Sequence, residues 1–105
     1  MREAGLRRRI HEWLIEQSDV WHIVTTGVRR VGTPDIVGCC SGLFFSWELK
    51  REHGGRVDAR QVLEGERISR VGGSHRFIRT IEEARSALEE LRSIATQEER
   101  SNGKA

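Results

Sequence analysis

The stretch VGTPDIVGCCSGLFFSWELKR, residues 31–51, decides the fold. It reads as two strands, 35–40 and 43–50, joined by Ser41-Gly42, a pair suited to a two-residue hairpin turn. Such a turn fixes the register: Cys40 faces Leu43, Cys39 faces Phe44, and Asp35 then faces Glu48. Opposed side chains share a face, with Cβ atoms about 4.5–5.5 Å apart. Lys50, two residues beyond Glu48, points to that face as well. The opposite face of the second strand is Leu43, Phe45, Trp47 and Leu49, all apolar. Two carboxylates so placed repel each other unless a cation joins them. Hard divalent cations take oxygen ligands and keep several waters. The spacing points to a metal held by Asp35, Glu48 and the main-chain carbonyl of Leu49, with Lys50 orienting a water beside it. The competing reading is a solvated Asp–Glu–Lys cluster at strand ends, and a bulge in the turn would break the register.

Outward from this hairpin, residues 2–17 carry Leu6, Ile10, Trp13 and Leu14 at helical spacing, and VWHIVTT (20–26) reads as a strand. Gly27 to Thr33 form a loop holding Arg29 and Arg30. After the glycine-containing loop 51–57, Asp58 and Gln61 have capping-box spacing for a helix over 59–71, which Gly72-Gly73 stops. Gly65 inside that helix costs about 1 kcal/mol relative to alanine. Residues 75–79 are a short strand, and Thr80 with Glu83 caps a last helix carrying Ile81, Ala84, Leu88 and Leu91. The expected order is αβββαβα: an antiparallel meander, then a helical crossover to a parallel fourth strand. The domain is expected over 1–95, with residues 96–105 as a disordered tail that has nothing to bury.

Length and composition set outer bounds. A chain of 105 residues makes one domain. No apolar run approaches the roughly 20 residues of a membrane helix, and the charged N-terminus lacks a signal-peptide core. Both point to a cytoplasmic protein. Cys39 and Cys40 are adjacent and point to opposite faces, as unpaired strand residues do in a reducing compartment. The net charge of +2 is small, but 16 of the 18 basic residues are arginine, the side chain whose fork matches phosphate.

The order of motifs resembles the virus-type replication-repair nucleases (VRR-NUC), a branch of the PD-(D/E)xK superfamily. The matching elements are Glu3 on an N-terminal helix, Gly32-Thr33-Pro34-Asp35, Glu48-Leu49-Lys50, Gln61 and Gly72-Gly73. The match runs over about residues 1–92. The resemblance implies a restriction-endonuclease-like α/β fold with a central four-stranded mixed sheet flanked by helices. It also implies Mg²⁺- or Mn²⁺-dependent hydrolysis of DNA phosphodiester bonds. Stand-alone relatives of this size look like bacterial or phage proteins, similar to homodimeric endonucleases that cut Holliday junctions and other branched DNA. The rival function is a non-catalytic DNA-binding or phage-assembly module that keeps the fold.

Asp35 and Glu48 are thus the expected metal ligands, with Lys50 handling the water and Gln61 and Glu3 in support. Glu3 lies within about 20° of Ile10 and Leu14 on the core-facing stripe, whereas Glu12 is on the opposite side. A carboxylate on that stripe needs a partner, the metal or Lys50, unless the helix end frays and lets Glu3 reach water. Gln61 has the capping box as a structural alternative, compatible with a role at the site. Arg29, Arg30, Arg51 and Arg56 flank the motif and read equally as phosphate contacts or as solvated loop charge. The four histidines show no ligand spacing. Trp13, Trp21 and Trp47 read as core.

Overall fold

The Ser41-Gly42 turn has positive φ at both residues, 50° and 88°, the twist that matches a type I′ hairpin. The register it imposes is the expected one: Cys40 pairs with Leu43, Cys39 with Phe44, and so on to Ile36 with Trp47. A computed structural model describes residues 2–26 and 31–102 and places four strands and three helices. They are α1 (Glu3–Ile15), β1 (Val20–Val24), β2 (Ile36–Cys40), β3 (Leu43–Leu49), α2 (Ala59–Arg70), β4 (Ser74–Ile78) and α3 (Ile81–Asn102). The sheet order is β1-β2-β3-β4, antiparallel up to β3 and parallel between β3 and β4. This is the αβββαβα mixed sheet that the sequence implied.

Helices α1 and α3 cover one face of the sheet. Leu6, Ile10 and Leu14 of α1 meet Ile36, Cys40, Phe45, Trp47 and Leu49, and Leu88 and Leu91 of α3 close the same core. The alternation in β3 is the reason: its odd-numbered positions are apolar, so one whole face sheds water at once. At the far end, Arg92 of α3 holds Asp19 through Nε and Nη2, at 2.8 and 2.9 Å. That pairing lowers the Asp19 carboxyl below the usual carboxylate range.

Helix α2 lies on the other face. Asp58 and Gln61 form the expected capping box, and Gly72 N–H and Gly73 N–H close the C-terminus on Ser69 and Ile68 carbonyls. Gly65 has a packing reason for its cost: a Cβ there would lie 2.4 Å from the His75 ring. The Nδ1 of that half-buried imidazole shares a hydrogen bond with Ser46 Oγ at 2.8 Å, and burial lowers the His75 pKa.

Two sequence expectations need correction. Trp21 is 64% exposed rather than core, because alternation turns it, with Ile23, onto the half of the second face that α2 does not reach. Residues 96–102 are helical rather than disordered. They bury nothing, but Gln97, Glu98, Glu99 and Arg100 are helix formers, and Thr96 Oγ1 donates back to the Arg92 carbonyl.

Candidate functional site

The extended end of β2 and the last residues of β3 bring the motif together. Thr25 N–H donates to the Asp35 carbonyl at 2.9 Å, and Thr25 Oγ1 bonds the Pro34 carbonyl. These two bonds pin the Pro34-Asp35 backbone beside β1. Upstream, Gly32 has φ +84°, and a Cβ there would come within 2.9 Å of the Arg60 carbonyl. The loop that presents Asp35 therefore rests directly on α2.

Asp35 Oδ2 accepts from the Leu49 N–H at 2.8 Å. A strand residue points its N–H and C=O to the same edge, so the Leu49 carbonyl also turns toward Asp35. Glu48, on the intervening side chain, is 4% exposed, and its Oε2 is buried with no hydrogen-bond partner among the described residues. Burial drives the Glu48 pKa up to about 9, reinforced by a hydrogen bond to Asp35 and by that carboxylate's charge. Lys50 acts in the opposite direction, and Glu3 adds a smaller upward push. Lys50 itself is 7% exposed, and its N–H bonds the Ile78 carbonyl, which anchors the end of β3 on β4. Two carboxyls and an ammonium are thus held at the margin of a buried apolar sheet.

The donor set fits a hard divalent cation. An orphaned buried carboxylate oxygen, pressed against a second carboxylate, is the arrangement that a bound cation relieves. Among the described residues no three His, Cys, Asp or Glu side chains converge as a ligand group. The remaining positions would fall to the Leu49 carbonyl and to water, as suits an ion that keeps several waters.

Glu3 stands at the start of α1, exposed, one turn before the buried Leu6. It lines an open concavity of about 530 Å³ with Arg2, Arg51, Gly54, Gly55 and Arg56. The structure therefore gathers Glu3, Arg51 and Arg56, and its field reaches Glu48. Gln61 Oε1 accepts from the Asp58 N–H at 3.2 Å, which is the capping role. Arg29 and Arg30 lie outside the described residues.

Sequence reasoning missed three supporting residues. Arg79 donates to the carbonyls of Arg51 and Gly55, at 2.9 and 3.2 Å, and so ties down the loop that carries Arg51 and Arg56. Ser46 and His75 fill the strand face next to Glu48. Ser46 could have been found from its place two residues before Glu48; Arg79 carries no local signal.

No family model and no curated protein matches the chain. Solved structures do. One described as "VRR_NUC domain" superposes with a TM-score of 0.68 at 18% identity, over 85% of this chain and 97% of that one. Another, "VRR_NUC domain protein", gives 0.67 at 15% identity, over 86% and 87%. At these identities the likeness is one of fold. The chain shares the fold of these VRR_NUC structures, the four-stranded mixed sheet flanked by helices that the order of motifs implied. Among the described residues no helix is long and apolar enough to cross a membrane.

Proposed function

We propose that this chain is an Mg²⁺- or Mn²⁺-dependent deoxyribonuclease that cuts branched or four-way-junction DNA endonucleolytically as a homodimer. The observation that carries the reading is the buried, unpartnered Glu48 Oε2 beside Asp35, within the field of Lys50. Magnesium or manganese, when bound by Asp35, Glu48 and the Leu49 carbonyl, supplies Lewis-acid stabilisation of charge on the phosphate in flight. The Leu49 N–H fixes the orientation of Asp35. Lys50, a buried residue just past the end of β3, orients the attacking water and offsets developing negative charge. Arg51 and Arg56 sit where the phosphates flanking the cut can lie, on a loop held by Arg79. Glu3 and Gln61 support the set from the two helix N-termini.

The dimer is supported by an apolar strip on the same sheet face. Trp21, Ile23 and Phe44 are 64%, 45% and 45% exposed there, and Val37 and Cys39 lie between them in register. Contiguous exposed apolar surface of this kind marks a contact site. A second copy covering the strip is the occupant proposed, and Trp21→Glu is expected to leave a monomer in light scattering. A monomeric unaltered protein at working concentration removes the paired-cutting part of the reading.

The deciding experiment is cleavage of labelled duplex, flap, splayed-arm and four-way-junction DNA with Mg²⁺, Mn²⁺ or EDTA. Cutting with either metal and none with EDTA is expected. Absence of cutting across the whole panel would return the chain to a non-catalytic DNA-binding role.

A further inference from the structure

Helix α1 and β1 enclose a second concavity, of about 610 Å³, that the nuclease reading leaves unused. Arg7, Arg8 and His11 of α1 line it from one side, and His22, Ile23 and Val24 of β1 from the other. His11 Nδ1 and His22 Nε2 are 2.8 Å apart, with the rings edge to face. One hydrogen bridges the two imidazoles and leaves their outer nitrogens to other partners. Neither Arg7 nor Arg8 has an ion pair or hydrogen bond among the described residues, and no carboxylate lines the hollow.

The strand adds main-chain donors and acceptors. Thr25 N–H bonds the Asp35 carbonyl and Ser41 N–H bonds the Asp19 carbonyl, so both pairs are of the hydrogen-bonded kind. Antiparallel ladders alternate, which makes Trp21–Cys39 and Ile23–Val37 hydrogen-bonded pairs too. His22 and Val24 consequently turn both their N–H groups and their carbonyls outward. Because β1 is the edge of the sheet, those groups open toward the hollow rather than toward another strand. The edge backbone offers donors and acceptors in equal number, so the balance is set by the side chains: two guanidinium groups and two imidazoles, with no acid among the described lining residues, suit an anion with several acceptor oxygens.

We propose that this concavity binds a phosphate group of a DNA backbone, on a strand that passes α1 beyond the point of cutting. The assignment rests on the nuclease reading for the identity of the nucleic acid. Geometry links the two places. Glu3, in the first concavity, and Arg7, in the second, lie four residues apart on α1, a rise of about 6 Å. Arginine supplies the bidentate fork and the imidazoles supply further N–H donors, so the site positions the backbone without reading sequence.

The test uses the full chain carrying Asp35→Asn, so that binding is read without cutting. Duplex affinity is measured against salt for that protein and for the same protein with Arg7→Gln and Arg8→Gln. The pair of substitutions is expected to weaken binding and to reduce the slope of log K against log salt by about one. Arg9→Gln, on the same helix but outside the lining, is expected to leave the slope unchanged. Equal slopes for all three proteins, or the same loss from Arg9→Gln, overturn the site. A change in oligomeric state without a change in affinity also overturns it, by showing the open edge of β1 to be a protein-docking edge. In the unaltered protein, inorganic phosphate is expected to shift the His11 and His22 ring nitrogen resonances where chloride does not; identical behaviour with the two anions counts against the proposal even if a variant fails to fold. Failure of the nuclease reading shows separately, as absence of cleavage by the unaltered protein.

Discussion

The two faces of one sheet differ as much as two proteins might. Toward α1 and α3, β3 presents Phe45, Trp47 and Leu49, all buried among aliphatic side chains. Toward α2, the alternate positions are Phe44, Ser46 and Glu48, followed by Lys50 just past the strand end, and Ser46, Glu48 and Lys50 are buried polar groups. The first face is where burial is favourable, and the second is where burial costs free energy that only partners or ligands offset. The contrast separates the residues that make the chain fold from those that make it act. Substitutions on the two faces should therefore fail in different ways.

The largest effects test that separation directly. Trp47→Ala removes a fully buried ring from the apolar face and is expected to cost about 3–5 kcal/mol, a large part of a small domain's stability. Thermal unfolding reads that loss. Lys50→Ala, three residues further along the chain, is expected to keep the circular dichroism of the parent while cleavage falls on the order of 10³-fold. Substantial cutting by a well-folded Lys50→Ala protein would break the division between the faces. A smaller effect lies where α2 meets the polar face: Gly65→Ala forces a methyl group against the His75 ring and is expected to cost about 1–3 kcal/mol. The same substitution in an exposed helix position would stabilise by about 1 kcal/mol, so the sign alone tells whether the contact is real.

Titration sharpens the comparison. The Glu48 carboxyl is raised from 4.5 to about 9 in the folded chain, with burial as the main cause. Between those values the folded state holds a proton that the unfolded state has released, so stability falls as pH rises through that window. The metal-free protein is expected to lose thermal stability from about pH 4.5 toward pH 9, and Glu48→Gln to flatten that dependence. Added Mg²⁺ is expected to restore stability at the alkaline end by occupying the site with the carboxylate ionised. Asp19, just before β1, supplies a counter-case. Its pKa is lowered by Arg92, so its contribution is present at neutral pH and is lost only as pH falls through the acid range.

The sequence made the apolar face and the register legible for a physical reason. A strict alternation in Leu43–Leu49 and a two-residue turn leave one way to bury the hydrophobic set, and Asp35 meets Glu48 as a consequence. Trp21 was not legible in the same way. Its side chain is as apolar as that of Trp47, and only the length and position of α2 decide which half of the polar face stays uncovered. The His11–His22 contact was hidden for a related reason: eleven residues and two different elements separate the pair, so no local spacing announces it. Arg79 reaches 28 positions back to the loop it ties down. Local pattern shows which face a residue takes, whereas the neighbour across the gap depends on how separate elements are brought together.

Glu3 gives the finest test, because periodicity and burial pull its reading in different directions. The stripe of α1 that contains Leu6, Ile10 and Leu14 is buried, and Glu3 begins that stripe, yet its own carboxylate is exposed. Position resolves the tension: Glu3 is the first residue of the helix, and it lines the concavity with Arg51 and Arg56 rather than the core. Its charge still reaches Glu48, whose pKa it helps to raise. Glu12 is exposed too, but about 180° away around the helix. A solvated helix charge contributes little, so Glu12→Gln is expected to leave cleavage rate and DNA affinity unchanged. Glu3→Gln keeps size and polarity but removes the charge. It is expected to slow cleavage several-fold while DNA affinity holds or rises slightly, since one negative group leaves the path of the backbone. Parallel measurement of both quantities on both variants decides the matter. Equal effects at the two positions would mean that the stripe brings Glu3 to the rim of the site without giving it a part in the chemistry.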